Sequence, residues 1–400
     1  MLVPISNRAK NLSFNNIFSE MNALAKEHNS VNLGHGFPDY PAPGFIKAAA
    51  TQAIQCDLNQ YTSAQGVPRL RQALANRMQQ RYQVTYNPDT DITVTQGATE
   101  AIFAAMMALV NPGDEVILFE PCYSTYLPAI QMVGGVPKFY SFLPPNWSLD
   151  AQQLESLFSD KTKVILLNTP HNPTGKVFSH AEMALIAQLC NQYNVIAISD
   201  EVYEELVFDD HVHRPLCTYP GMYERTITVS TLGKTFDVTG WKVGWAIAPQ
   251  ALSQFILRIR LYTSGSGTTP MQEAAAQALM IPDSFYQELV AKYEVLRNYC
   301  CQMLSDNGFI PFTPSGTFFL MADFSEFQTL NCSFKNDVEF CKYLTKTVGV
   351  TAIPASTLYH HNLPRQFNMV RFAFCKEHAT LTEANRRLSK AFKFSNTVKC

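Results

Sequence analysis

From Asn87-Pro88 onward the chain repeats one pattern. Strand-like runs DITVTQ, EVILFEP, KVILLNTP, NVIAISD and TITVS alternate with stretches of helical spacing at Thr99–Val110, Tyr123–Val133 and Ser179–Tyr193, and with a less regular one around Glu204. Strands alternating with helices imply a mostly parallel sheet with helices on both faces, an α/β architecture. In such sheets a ligand lies outside the C-terminal strand ends. Gly97, Asn168, Asp200 and Thr231 all stand at those ends.

The pattern breaks near Pro282. A long amphipathic stretch, Phe285 to Asn307, leads into FIPFTPSGTFFLMADFS, a helix near Asn336–Val348, the strand-like NMVRFAF and a last helix near Leu381–Phe392. Before the pattern, Ile17 to His28 puts Phe18, Met21, Leu24 and Ala25 on one helical face. The Gly/Pro loop VNLGHGFPDYPAP follows, then a helix over Phe45–Ile54 and the polar turn NQYTSAQGVPRL, with Pro68 in the first turn of the next helix. A chain of 400 residues exceeds one ordinary core. We therefore expect a large domain over 46–284 and a smaller α+β domain built from both termini, 1–45 and 285–400. A net charge of −2 without a basic run argues against nucleic acid. Ten cysteines with no CxxC fit neither a zinc site nor a disulfide scaffold and point to a reducing compartment. The N-terminus lacks the apolar core of a signal peptide, and Ala101 to Val110 is too short to span a bilayer. The expected location is cytoplasmic.

The chemistry centres on Thr226 to Pro249, TITVSTLGKTFDVTGWKVGWAIAP, which reads as strand, tight turn, strand with Lys234 in the turn. Desolvation between buried strands would lower the pKa of that lysine and free its amine as a nucleophile; a solvated turn lysine is the plain alternative. If Lys234 holds an aldehyde cofactor, the ring nitrogen needs a buried carboxylate, and Asp200 ends the apolar strand NVIAIS. Tyr203 and Asn172 could serve the ring oxygen. Gly97-Ala98-Thr99 at a helix start could attract a phosphate, with Thr231 and Lys242 adding a hydroxyl and a cation. Tyr123 could stack on the ring. Taken singly, DEVY also fits a helix start capped by Asp200, HNPTG a simple turn, QGATE an ordinary helix start and Tyr123 a core aromatic.

Together, in order, these segments resemble the fold-type I pyridoxal-phosphate aminotransferases. The resemblance rests on VNLGHGFPDYPAP, NQYTSAQG, QGATEA, EPCYSTY, TPHNPTGK, SDEVYEEL, STLGKTFDVTGWKVGW and VRFAF, and covers nearly the whole chain. The wording is most similar to the glutamine transaminase K/kynurenine aminotransferase group and its bacterial methionine aminotransferase relatives. It implies pyridoxal 5′-phosphate held by Lys234, which later shuttles the proton. It places Asp200 on the pyridinium, Tyr203 and Asn172 on the ring oxygen, and Ala98, Thr99, Thr231 and Lys242 on the phosphate. Tyr61 would reach in from a second subunit, which implies an obligate homodimer with shared sites. Arg371 would clamp the substrate carboxylate bidentately, with Gly36 adding backbone, Asn172 adjacent and Phe18 walling the side-chain pocket.

Two departures stand out. Thr231 replaces the group's usual serine, and LYTSGSGTTP carries Gly265 and Gly267 where an aromatic residue is expected to face the partner. The implied reaction is ping-pong transamination of a large neutral amino acid (methionine, glutamine or aromatic) with a 2-oxo acid. The alternative with the same cofactor is β-elimination of cysteine S-conjugates, a carbon–sulfur lyase. A non-enzymatic protein with a degenerate site would lack Lys234, Asp200 or Arg371, and all three are present. No metal is expected: His211, His213, His360 and His361 lack a third ligand at suitable spacing and read as solvated loop histidines. His171 and His35 fit turn, packing or catalytic roles equally. Trp241 and Trp245 read as packing beside the lysine turn, and Cys375 and Cys400 carry no signal.

Overall fold

The computed structural model describes residues 5–10, 12, 17–328, 334–360 and 367–392; His361 and Cys400 lie outside them. After β1 (Val31–Asn32), seven strands build the main sheet: β2 (Ile92–Gln96), β3 (Glu115–Glu120), β4 (Val136–Ser141), β5 (Thr162–Asn168), β6 (Ile196–Asp200), β7 (Thr226–Thr231) and β8 (Val243–Ile247). Their order is β2-β8-β7-β6-β5-β3-β4. All pairs among β4, β3, β5, β6 and β7 are parallel, and β8 runs antiparallel to both β7 and β2. The sheet is thus parallel but for β8. Strands β3 and β8 are buried along their whole length, as strands covered on both faces must be.

The register sets the site. Asn168 pairs with Asp200, Asp200 with Val229, Thr231 with Gly244, and Gln96 with Val243. Four strand ends are thereby brought level on one edge of the sheet.

A second sheet, β12-β13-β10-β9, is formed by β9 (Ile310–Phe312), β10 (Phe319–Asp323), β12 (Ile353–Pro354) and β13 (Met369–Ala373), while β11 (Val350–Thr351) pairs with β1. Its core joins Met21 and Leu33 to Phe309, Phe324, Phe340, Val370, Phe372 and Leu388. Phe324 and Phe340 stack at 3.9 Å between ring centroids. The N-terminal segment therefore packs with the C-terminal one, and Tyr203, Leu206 and Phe208 from beyond β6 enter the same core.

The structure departs from the sequence reading at several elements. The helix expected over Tyr123–Val133 begins at Tyr126, so residues 123–125 remain a loop. No helix forms around Glu204; the backbone after Asp200 makes turns, which removes the reading of DEVY as a capped helix start. The strand β4 and the helix Thr269–Ala278 carried no distinct signal. The long helix runs Asp283–Asp306. Among the described residues no helix is long and apolar enough to cross a membrane.

Candidate active site

The level strand ends, the loop 33–43 and β13 enclose a cavity of about 410 Å³. Lys234 enters it from a short helix, Leu232–Thr235, rather than the tight turn the sequence suggested. The Thr231 hydroxyl starts that helix: it accepts from Gly233 N–H at 3.3 Å and donates to the Val243 carbonyl at 2.8 Å. Gly233 is glycine because a Cβ there would lie 2.8 Å from Thr239 Cα. The largely buried Lys234 Nζ donates to the Gly36 carbonyl at 3.3 Å and sits 5.2 Å from the Phe318 ring centre. Burial brings its pKa down to about 8; Arg371 and Lys242 push the same way, against the charges of Cys375 and Asp200.

Asp200 is buried at the end of β6, and burial raises its pKa to about 6. Three groups oppose that rise: the Tyr126 phenol donating to Oδ2, Val202 N–H donating to Oδ1 at 3.3 Å, and the Lys234 charge. The buried carboxylate thus has a phenol and a backbone N–H as donors. Asn168 ties two strand ends together, donating to the Asp200 carbonyl at 2.8 Å and accepting from Asn172 N–H at 2.7 Å.

Arg371 projects from β13, where it pairs with Met321 and Ile353. Its guanidinium lies 4.1 Å from the Phe319 ring centre and 5.0 Å from that of Phe18. Nη2 donates to the Gly34 carbonyl at 2.8 Å and Nη1 to Asn172 Oδ1 at 3.2 Å. Nε is buried without a partner, and Arg371 forms no ion pair with any described residue. Burial lowers its pKa to about 10. A buried cation with no anion beside it costs stability unless a ligand supplies the charge. Because Asn172 turns its oxygen to Arg371, its amide N–H₂ is the end left for the cavity.

The helix Ala98–Leu109, whose start also lines the cavity, has no side-chain cap and follows Gly97 at φ 75°. A Cβ on Gly97 would meet Lys242 Nζ at 3.1 Å, and one on Gly244 would lie 2.5 Å from the Gly97 carbonyl carbon. The two glycines let backbone and lysine crowd around the helix N-terminus, where free N–H groups and the helix dipole attract an anion.

Lys234, Asp200, Tyr203, Asn172, Ala98, Thr99, Thr231, Lys242, Tyr123, Phe18, Gly36 and Arg371 all line this one cavity. Tyr61 does not: it is 94% exposed and outside the chain's own site. His35, for which the sequence leaves a catalytic role open, lines the cavity, as do Tyr126 and Phe319, which escaped the sequence reading as site residues. Tyr126 lies three residues past Tyr123, a spacing that gave no hint of Asp200; Phe319 was hidden in an apolar run.

Of the histidines, His171 is a packing residue, buried with Nδ1 2.7 Å from Thr174 Oγ1 and edge-on to Phe142. His213 corrects the expectation of a solvated loop. It is buried, with Nε2 2.9 Å from the buried Glu201 carboxylate, because the chain beyond β6 folds back over that strand's end. Among the described residues no His/Cys/Asp/Glu cluster suits a metal ion.

Comparison with known proteins gives the same direction throughout. The family model for aminotransferase class I and II matches residues 28–388. The chain belongs to that family. Kynurenine–oxoglutarate transaminase 3 of Homo sapiens is 40% identical over 392 residues, covering 92% of this chain and 86% of that protein. Methionine aminotransferase of Escherichia coli is 38% identical over 372 residues, covering 93% and 95%. Among solved structures, N-succinyldiaminopimelate aminotransferase from Mycobacterium tuberculosis superposes with a TM-score of 0.92 at 40% identity, covering 97% of this chain and all of that one.

This protein is therefore a pyridoxal-phosphate-dependent aminotransferase that catalyses amino-acid transamination. These relatives are transaminases, and nothing in the cavity favours the β-lyase alternative. The residues present fit the cofactor: an amine with a lowered pKa, a buried carboxylate and an uncapped helix N-terminus with a lysine over it face one space.

Proposed function

We propose that this aminotransferase moves the amino group of a large neutral amino acid to a 2-oxo acid in two half-reactions at this cavity. Pyridoxal phosphate, when bound, supplies an aldehyde carbon that takes the amino group and a ring that draws electrons from the substrate Cα. Lys234 would hold the cofactor; once displaced, its amine would take the proton from the substrate Cα and give it up to the carbon that had been the aldehyde, which leaves the amine neutral again. Asp200 would keep the ring nitrogen protonated. Tyr203 and the Asn172 amide N–H₂ would hold the ring oxygen, and Tyr123 would pack on the ring. The N–H groups of Ala98 and Thr99, the Thr231 hydroxyl and Lys242 hold the phosphate. Arg371 takes the substrate carboxylate, beside Asn172 and the Gly36 backbone, and Phe18 walls the side-chain pocket. The observation that carries this assignment is a buried Arg371 with no carboxylate partner in the same cavity as Lys234 and Asp200.

A neutral side chain follows from the charges. The basic residues lining the cavity are Lys234, Lys242, Arg371 and His35. The first three are engaged as above, and His35 is held neutral by burial and by the charges of Lys376 and Arg371. Among the described residues that line the cavity no cation remains for a distal carboxylate. Methionine, glutamine, kynurenine and aromatic amino acids suit such a pocket, in line with the substrates in the relatives' names.

We further read the protein as a homodimer in which the partner's Tyr61 completes the phosphate site. Tyr61 and Tyr262 are 94% and 87% exposed, and Ile54, Leu58, Met107, Phe255 and Leu261 are exposed apolar residues on neighbouring segments. A face of that kind marks an association surface. The division into a large domain over 46–284 and a small one from 1–45 and 285–400 follows the two sheets. A cytoplasmic setting accords with free thiols at every described cysteine.

The experiment is an amino-acid panel against several 2-oxo acids with purified protein, including N-succinyldiaminopimelate because one relative is named for it. The expected preference is for methionine, glutamine or aromatic donors; preference for the succinylated, acidic donor would overturn the neutral-pocket reading.

A further inference from the structure

Arg260, in the helix Gln250–Thr263, is fully buried, and the nearest carboxylate oxygen, Glu100 Oε2, is 3.9 Å from its Nε. Burial lowers its pKa. A guanidinium in that state is costly unless it does something no apolar residue could. Its Nη1 donates to two carbonyls on separate segments, Ala64 and Gly265, while Nε and Nη2 have no hydrogen-bond partner among the described residues.

The same two segments are tied elsewhere. Thr269 Oγ1 donates to the Gln60 carbonyl at 2.7 Å, and Gln272 Oε1 accepts from Val67 N–H at 2.9 Å. Gly265 takes φ +67°, and a Cβ on Gly267 would lie 2.4 Å from Gln272 Nε2. The SGSG segment thus presents backbone where the family group presents a side chain. Its shape depends on what grips that backbone, and Arg260 is the grip it shares with the segment that carries Tyr61.

Resting on the dimer reading above, we propose that Arg260 is a positioning residue acting across the subunit boundary. It clamps residues 60–66 to residues 263–269, so that each subunit presents the Tyr61 side chain and the Gly265–Gly267 backbone to its neighbour's cavity in fixed relation. The competing route is within the chain. Glu100 accepts from Gln96 N–H and Ser264 Oγ and sits in the first turn of the helix whose start lines the chain's own cavity.

Mixed dimers separate the two routes. In one, Lys234→Ala and Arg260→Met lie on the same chain beside an unaltered partner, so the single competent site faces altered segments. In the other, the two substitutions lie on different chains, so the competent site faces unaltered segments. The first dimer should show an amino-acid KM raised about tenfold with kcat within about threefold of normal. It should also lose lysine-bound cofactor absorbance on dialysis, a signal that only the Lys234-bearing chain contributes. The second should behave as a dimer carrying Lys234→Ala alone. An equal defect in both, a defect confined to the second, or none in either overturns the proposal. Should Arg260→Met chains not assemble, Thr269→Val cuts the other tether and must give the same one-sided pattern at smaller amplitude; its absence overturns the proposal as well. A wild-type protein that sediments as an active monomer removes the dimer reading and this inference together, whereas a defect that stays within the altered chain overturns this inference alone.

Discussion

Lys234 loses its proton near pH 8 because burial between β7 and β8 disfavours the ammonium form. Below that pH the amine is protonated and not nucleophilic; above it the neutral form dominates. Apo-protein should therefore take up pyridoxal phosphate about tenfold faster per pH unit up to near 8 and then level off, read by stopped-flow absorbance. A rate still climbing steeply at pH 10 would show an ordinary solvated lysine. Tyr126→Phe removes the phenol that holds Asp200 below the pKa its burial alone would impose. We expect kcat/KM to fall about tenfold, within the range for a hydrogen bond to a charged group, with the acid limb of the pH–rate profile moved to higher pH. Arg371→Lys keeps the charge but loses the fork, so the amino-acid KM should rise about a hundredfold. This substitution tests recognition of the carboxylate, since an amine lacking that group should be indifferent to it.

At the scale of elements, the N-terminus of the helix Ala98–Leu109 depends on close approach to β8. A Cβ at Gly244 would lie 2.6 Å from Ala98 N, so Gly244→Ala must push the helix start away from the strand. Overpacking of this kind costs about 1–3 kcal/mol. The expected outcome is a lower melting temperature together with weaker cofactor retention, measured by dialysis; lower stability with unchanged retention would remove this helix from the phosphate site. The elements that position the site were largely legible in the sequence. Apolar, β-branched runs such as KVILLN and NVIAIS have few alternatives to a buried parallel strand, and the level ends of β5, β6 and β7 follow from that. What escaped was set by packing beyond the local chain. The turns after Asp200 replace a helix because Tyr203, Leu206 and Phe208 enter the other core. His213 is buried by the fold of the segment after β6, and Tyr126, at the start of the helix after β3, meets Asp200 only once β3 and β6 lie on either side of β5. None of these contacts has a periodicity to betray it.

Across the whole molecule, one chain brings distant segments to one cavity and leaves Tyr61 outside it. The Ala98–Leu109 helix, the strand ends and Arg371 come from distant parts of the sequence, so the site exists only when the two sheets are docked through the loop 33–43. That loop is fastened at Gly34 by Arg371, at Gly36 by Lys234 and at Phe37 by Lys376, whose Nζ donates to its carbonyl at 2.7 Å. Lys376→Met should loosen the loop and raise the amino-acid KM while leaving cofactor uptake by apo-protein intact, a split readable by steady-state kinetics beside absorbance. The account as a whole stands on the covalent role of Lys234. Borohydride reduction of the cofactor-loaded protein followed by peptide mass mapping tests it directly: a reduced phosphopyridoxyl group should appear on Lys234 alone, and its appearance on another lysine, or on none, would contradict the account.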